Sequence, residues 1–294
     1  MSTLQNKIDF AVIFRVTNAN PNGDPLNGNR PRTDYSNYGE MSDVSIKRKI
    51  RDRLLERWVD AGRNDDGNMI FVQSDDRKAD DAKSLRARAE AGLGKELGSD
   101  KTVELACKKW LDVRAFGQLF ALKSNKKAGK KKEDGSDEEG DTGVSIGIRG
   151  PVTVQSAFSI EPIDITSMQI TKSVSGEGDG TKRSSDTMGM KHRVDHGVYV
   201  FKGSMNPQLA ERTGFSDSDA EAIKQVLPKL FENDESSARP AGSMEVLKVI
   251  WWRHGSKAGQ YSSAKVHGTL TVCPDGSYEL SPLEALVPEE INGF

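Results

Sequence analysis

The sequence IDFAVIFRVT, residues 8–17, begins the part of the chain that decides the fold. Its residues are mainly apolar, β-branched or aromatic, which predicts a β-strand. The loop NPNGDPLNGNRPR, residues 20–32, follows and contains four Asn, two Gly and three Pro. These residue types favour a succession of turns, and Arg30 and Arg32 add positive charge. The segment therefore predicts a strand that leads into a stiff, polar, partly basic loop.

A helix is predicted after this loop, over SDVSIKRKIRDRLLERWVDAG, residues 42–62. Ser42 or Asp43 can cap its start, and Gly62 ends it. An apolar residue recurs at every fourth position, so the helix has one apolar stripe that can pack on a sheet. The stripe consists of Ile46, Ile50, Leu54 and Trp58.

Positive side chains cluster near the start of this helix. Lys47 and Arg51 lie one turn apart beside the apolar stripe, and Arg48 lies just round the helix from them. At this end the helix dipole and the unpaired backbone N–H groups also favour an anion. We therefore expect these side chains to bind phosphate. The alternative is that they only pair with Asp52 or Glu56 along an exposed surface.

The rest of the chain alternates predicted strands and helices. Residues 63–101 are polar and form a predicted helical insertion. Helices are predicted at 102–121, with a break near Gly117, and at 216–233. Further strands are predicted at 68–72, 143–165, 196–205, 244–252 and 264–273. This order fits a βαββαβ core, so residues 1–294 are predicted to form a single α+β, ferredoxin-like (RRM-like) domain with insertions.

Two segments do not fit the regular pattern of this core. Residues 123–141 contain six Lys followed by six acidic residues, and nothing larger than alanine that could be buried, which predicts a mobile loop. Residues 166–195 lie between two predicted strands and are too long for a turn. Their Gly-rich middle and patterned ends predict a protruding hairpin.

Composition excludes several classes of protein and site. Two cysteines cannot form a disulfide framework or a four-cysteine zinc site, and they suit a reducing cytoplasm. No apolar run is long enough to span a membrane. His192 and His196 lack a third metal ligand, and no nucleophile elbow is visible. We therefore expect a cytoplasmic protein without metal or cofactor. A net charge of −2 restricts any nucleic-acid surface to a local cluster of positive side chains.

Five sequence motifs occur together in one order along the chain. Together they resemble the backbone subunit of type I-C CRISPR Cascade complexes, the Cas-seven family. The resemblance is strong over 1–60 and 110–122, good over 143–205, looser over 236–254 and absent from 63–101. The motifs are NANPNGDPLNGNRPR, SDVSIKRKIRD, RAFGQLF, IRGPVTVQSAFSIEP and TMGMKHRVDHGVYVFKG.

The resemblance implies an open-hand fold with a ferredoxin-like palm and a thumb hairpin at 166–195. It implies that many copies lie side by side along the guide RNA (crRNA), and that each thumb kinks the RNA and turns one base aside. The implied partners are neighbouring copies, the guide-processing, large and small Cascade subunits, and target DNA paired to the crRNA. It implies no enzymatic activity and no cofactor.

Residues are carried over from the family by position. The start of the basic helix corresponds to the family's phosphate-binding segment, and the preceding loop lines the same groove. The thumb supplies flexible apolar and basic side chains. The RNA-binding residues expected on this basis are Asn20, Asn22, Arg30, Arg32, Ser45, Lys47, Arg48, Arg51, Lys172, Arg183, Met188, Lys191 and Arg193.

Two other functions stay open at this point. Related backbone subunits of type III complexes cut target RNA with a loop aspartate, and Asp24 and Asp34 lie in the corresponding region here. The chain could also be a general single-strand RNA-binding protein that joins no complex. A stoichiometry that depends on guide length would distinguish the Cascade backbone from this second alternative.

Overall fold

Strands and helices alternate along the chain, which a computed structural model describes for residues 2–64, 67–122, 144–171 and 188–294. The predicted mobile loop at 123–141 lies outside the described residues, as does the tip of the predicted thumb at 172–187. The described strands are β1 (Ile8–Ala19), β2 (Gly23–Asp24), β3 (Arg30–Pro31), β4 (Tyr38–Met41), β5 (Gly117–Leu122), β6 (Val144–Arg149), β7 (Val152–Val154), β8 (Ala157–Pro162), β9 (Ile165–Thr171), β10 (Met188–Met205), β11 (Met244–Arg253), β12 (Leu270–Val272), β13 (Tyr278–Leu280) and β14 (Glu289–Asn292).

The helices are short except for the first. Within the described residues, none is long and apolar enough to cross a membrane. They are α1 (Asp43–Asp60), α2 (Leu85–Leu93), α3 (Thr102–Lys109), α4 (Leu111–Phe116), α5 (Pro207–Thr213), α6 (Asp217–Val226) and α7 (Ser263–His267).

One large antiparallel sheet organises the chain. Its strands lie in the order β14-β11-β1-β10-β8-β4, and β7 and β9 also pair with β10. The long strand β10 pairs with β1 near its C-terminal end and with β9 near its N-terminal end. A large antiparallel sheet combined with helices is consistent with the predicted α+β class.

Helix α1 covers one face of this sheet as its apolar stripe predicts. Ile46 and Ile50 are fully buried in the same core cluster as Phe14 and Tyr199. Phe14 lies directly opposite Tyr199 in the register, and their ring centroids are 5.3 Å apart. Large aromatic pairs of this kind add stability beyond the area they bury.

The ends of α1 follow the predicted signals. The Ser42 side chain accepts a hydrogen bond from the Ser45 backbone N–H, which caps the helix start. Gly62 follows the last turn with a φ of 83° and donates to the Val59 carbonyl. Only glycine adopts this left-handed conformation without strain, so the helix stops there.

The opposite face of the sheet carries a second hydrophobic core. Ile13 and Trp252 pack there against Val266.

The strand predicted over 264–273 is wrong in its first half, because residues 263–267 form α7 and only 270–272 form a strand. The Ser262 side chain caps α7 by accepting from the Lys265 N–H, and this capping signal outweighs the alternating apolar pattern.

The insertion has a small core of its own. Trp110 packs against Phe71 with centroids 4.7 Å apart. To reach this position the backbone at Trp110 is extended, and it separates α3 from α4 within the predicted 102–121 helix. The strand predicted at 68–72 is wrong, since only Met69 forms a β-bridge, to Trp110.

Candidate nucleic-acid interface

Side-chain hydrogen bonds stiffen the 20–32 loop. The Asn20 amide donates to the Asn29 carbonyl across the loop at 2.6 Å. The Asp24 carboxylate accepts from the Leu26 N–H at 3.2 Å and caps a single 3₁₀ turn, which ends at Gly28 with a φ of 60°. Asn20 and Asp24 therefore hold the loop in one conformation.

The same loop also fixes the start of α1. The side-chain oxygen of Asn22, Oδ1, accepts from both the backbone N–H and the hydroxyl of Ser42, each at 2.9 Å. The Ser42 hydroxyl in turn accepts from the Ser45 N–H. Asn22 thus orients the helix N-terminus against the loop, and the predicted RNA-binding residues Asn22 and Ser45 lie next to each other.

Arg30 joins the loop to the antiparallel ribbon that β9 forms with the first part of β10. One guanidinium nitrogen of Arg30 donates to the Ser167 hydroxyl at 2.9 Å. Among the described residues, no carboxylate lies within ion-pair distance of Arg30. Arg32 differs, because Asp24 lies 3.4 Å from its guanidinium. Arg30 is therefore a positive group whose charge the described chain does not neutralise.

The ribbon places the predicted thumb residues on two different faces. Successive side chains of a strand alternate between faces, and residues directly opposite on paired strands share one. Met188 lies opposite Thr171 and accepts from the Gln169 amide, so it shares a face with His192. Lys191 and Arg193 occupy the other face, where Arg193 lies 3.5 Å from Asp195.

The cations of α1 have partners within the chain. Lys47 lies 2.9 Å from Asp43 one turn earlier. Arg48 donates to the Ser74 hydroxyl at 2.8 Å and lies 3.4 Å from Asp76. The two Arg48 contacts attach the 74–76 part of the insertion to the helix.

Arg51 is held more firmly than the other two. It donates to the buried Asp112 carboxylate at 3.0 Å and lies over the Phe116 ring. Asp112 also accepts from the backbone N–H groups of Phe71 and Val72. A carboxylate with three donors orders its surroundings, so Arg51 forms part of the support between α1 and the insertion.

A buried ion network supports the base of the loop. Lys49 contacts Asp234, which also accepts from Arg239 at 2.9 Å. Burial lowers the pKa of Lys49 to about 8, because desolvation and the repulsion from Arg239 outweigh the attraction of Asp234. The pKa of Asp234 stays low despite its burial, because two cations neutralise it. Close to Arg239 in the chain, the Ala238 carbonyl accepts a hydrogen bond from the Asn20 backbone N–H.

The two loop carboxylates considered for RNA cleavage both shape turns. Asp24 caps the 3₁₀ turn and pairs with Arg32. One oxygen of Asp34 accepts from the N–H groups of Ser36 and Tyr38, at 2.8 and 2.9 Å. In the described part of the chain, no group of three or more His, Cys, Asp or Glu side chains could hold a metal ion.

The structure thus brings the loop, the start of α1 and the base of the ribbon together. It places Arg48 and Arg51 in contacts with the insertion and separates Met188 from Lys191 and Arg193 by face. Lys172 and Arg183 lie outside the described residues. The sequence alone did not place Ser167 and His192 beside Arg30, although strand alternation from Met188 puts His192 on the Met188 face.

Comparison with solved structures returns chains of CRISPR assemblies. One, described as a CRISPR RNA-guided surveillance complex, pre-nicking, has a TM-score of 0.45 and 15% identity, covering 84% of this chain and 78% of that chain. Another, described as a CRISPR RNA-guided surveillance complex, has a TM-score of 0.43 and 16% identity, covering 92% and 77%.

Sequence comparison gives a closer correspondence. A protein from Haloferax volcanii described as CRISPR-associated protein Cas7 is 25% identical over 295 residues, which cover 98% of this chain and 81% of that protein. The family model described as CRISPR-associated protein Cas7 matches residues 6–286, nearly the whole chain. This chain therefore belongs to the CRISPR-associated protein Cas7 family.

Proposed function

We propose that this chain is a non-catalytic backbone subunit of a CRISPR RNA-guided surveillance complex in the cytoplasm. Copies would lie side by side along the crRNA, hold its phosphates and present the spacer for pairing with target DNA. The observation that supports this best is Arg30, which is fixed where loop and ribbon meet and lacks a carboxylate partner among the described residues. A basic group of this kind suits a phosphate that must be bound in any sequence.

The order of strands supports a ferredoxin-like palm. The elements β1, α1, β8, β10, α6 and β11 follow one another as βαββαβ, with the strands paired in the order β11-β1-β10-β8. In order along the chain this is fourth, first, third, second, as in ferredoxin-like folds. We propose that the β9–β10 ribbon is the base of the thumb.

The groove would divide the predicted residues into two roles. Arg30, Lys47, Ser45 and Lys191 would contact phosphates directly, and Met188 would contact a base. A second set would hold these groups in place. It comprises Asn20, Asn22, Arg32, Arg48, Arg51 and Arg193, and the roles proposed for Lys172 and Arg183 concern the thumb tip.

We also propose a subtype for the complex and a set of partner subunits. The motifs in the first 60 residues favour a type I-C complex, with a guide-processing subunit at one end and large and small subunits alongside. Co-expression with a CRISPR array and these partners, followed by purification and sequencing of bound RNA, tests this directly. Recovery of random cellular RNA in place of array-derived guides would contradict the proposal.

A length series distinguishes a backbone subunit from a general RNA-binding protein. Complexes assembled on guides of increasing length should gain copies in regular steps, which native mass spectrometry resolves. Arg30→Ala should weaken this assembly, whereas the matched control Arg57→Ala, at the far end of α1, should not. Copy numbers that vary without steps would favour the general RNA-binding protein.

The same preparation tests for nuclease activity. We propose that Asp24 and Asp34 only form turns, so matched target RNA should stay intact with magnesium or manganese. Cleavage that is abolished by Asp24→Ala or Asp34→Ala would support the type III-like alternative instead.

A further inference from the structure

Resting on the proposed function, we propose that His192 is a second phosphate contact of the guide-binding groove. It would be coupled to Arg30 through the Ser167 hydroxyl and would gain its positive charge as the pH falls. The His192 Nδ1 atom lies 2.8 Å from the Ser167 Oγ, the same atom that accepts from Arg30 at 2.9 Å. Three side chains from the loop, β9 and β10 thus form one connected group.

The Ser167 hydroxyl can accommodate both charge states of the ring. A hydroxyl has one donor and two acceptor lone pairs. With a neutral His192, Ser167 accepts from Arg30 and donates to Nδ1. With a protonated His192, Nδ1 carries a proton and donates, and the Ser167 oxygen accepts from both neighbours. The charge of the group therefore rises from one to two without a change in the contacts between the three side chains.

Among the described residues, no carboxylate lies within ion-pair distance of Arg30 or His192. Strand β9 has no ionisable residue, and in the part of β10 that pairs with it, Met188–Val194, the other residues on the His192 face are Met188, Met190 and Val194. From the loop, Arg30 contacts this face, while Asp24 pairs with Arg32. Asp195 is on the opposite face and accepts from Thr166.

A phosphate would supply the missing negative charge. A phosphodiester attracts a protonated imidazole more strongly than a neutral one. RNA binding and proton uptake at His192 would therefore favour each other. Histidine is the side chain whose charge changes between about pH 5 and pH 8, which makes RNA affinity dependent on pH in this range.

The test uses a rhodamine-labelled single-stranded RNA and fluorescence anisotropy at several salt concentrations, at roughly pH 8 and pH 5.5. Wild-type protein should bind about tenfold more tightly at the lower pH, and its slope of log affinity against log salt should steepen by about 0.7. His192→Gln should lose both changes while it keeps the melting temperature. The matched control His196→Gln, an exposed histidine of the same strand, should keep both.

A second variant tests the coupling. Ser167→Ala removes the shared hydroxyl, so the increase in affinity at low pH should shrink. An unchanged pH dependence in His192→Gln, or an unchanged increase in Ser167→Ala, would overturn the inference. Failure of the wild-type protein to bind RNA at either pH would instead overturn the proposed function itself.

Discussion

The cations of helix α1 and those near the β9–β10 ribbon differ in what they contact. Lys47 and Arg51 each lie within 3.0 Å of a carboxylate of the same chain. Arg30 contacts only a hydroxyl among the described residues, and Lys191 has no carboxylate partner there. The helix looks more basic in sequence, yet much of its charge holds the insertion in place. A basic motif therefore does not by itself locate the surface that binds a polyanion.

The strongest test of this difference removes the acceptor of Arg51. Asp112→Ala leaves the partly buried Arg51 guanidinium and the N–H groups of Phe71 and Val72 without their acceptor. We expect the free energy of unfolding to fall by roughly 3–5 kcal/mol. Urea denaturation measures this loss. Asp76→Ala, which removes an exposed partner of Arg48, is the control and should cost less than about 1 kcal/mol. Equal losses would contradict the structural role of Arg51.

Removal of the Arg30 side chain is expected to reduce RNA affinity and to leave stability nearly unchanged. Arg30→Ala should leave the melting temperature nearly unchanged, because the side chain is solvent-accessible and makes one hydrogen bond. It should lower affinity for single-stranded RNA about tenfold, since a charge-assisted contact contributes about 1.5–3 kcal/mol. The slope of log affinity against log salt should fall by about 0.7. If Arg30→Ala lost much stability but kept its RNA affinity, Arg30 would have the structural role that is assigned here to Arg51.

Lys49 extends the comparison to a cation that is almost fully buried. In the unfolded chain it keeps its proton up to a pKa of 10.5, whereas in the folded protein it releases the proton at about 8. Between these values the unfolded state binds more protons, so the free energy of unfolding should rise with pH, by roughly 3 kcal/mol over the whole range. Urea denaturation across this range should show the rise in wild-type protein. It should be absent from Lys49→Met and from Lys49→Arg, neither of which titrates there.

The smallest effect is expected at Lys47. Asp43 already neutralises part of its charge, and a partly exposed pair one helical turn apart contributes about 0–1 kcal/mol. Lys47→Ala should therefore reduce RNA affinity only about threefold. Binding curves of Lys47→Ala, Asp43→Asn and the double variant separate the contribution of the Lys47–Asp43 pair from that of the contact between Lys47 and RNA. A loss as large as that of Arg30→Ala would show that the helix cations bind RNA despite their partners.

Local signals in the sequence predicted the elements that position this site. The apolar stripe and Ser42 predicted α1, and the helix predicted at 216–233 contains α6, whose start is capped by Ser216. The apolar run at 8–17 gave β1. These signals are local, since caps and periodicity depend on neighbours within a few residues.

The pairing of the cations could not be predicted in the same way. Asp112 meets Arg51 only because α4 packs beside α1, and nothing in the 42–62 segment indicates that contact. The hydroxyl of Ser167 and the guanidinium of Arg30 likewise lie far apart in sequence. The break at Trp110 was missed because its cause is a ring contact with Phe71, which helix periodicity does not encode.

The central position of β1 has a consequence for how the protein is made. Ile8 pairs with Met205 on one side and with Arg253 on the other, so β1 must wait for two neighbours that both follow it in the chain. Pairings so distant in sequence fold slowly, and an unpaired apolar strand edge promotes aggregation in the meantime. A chain that stops before β11 would leave one edge of β1 open permanently. The pairing of β1 with β11 can therefore form only once residues 244–253 have left the ribosome.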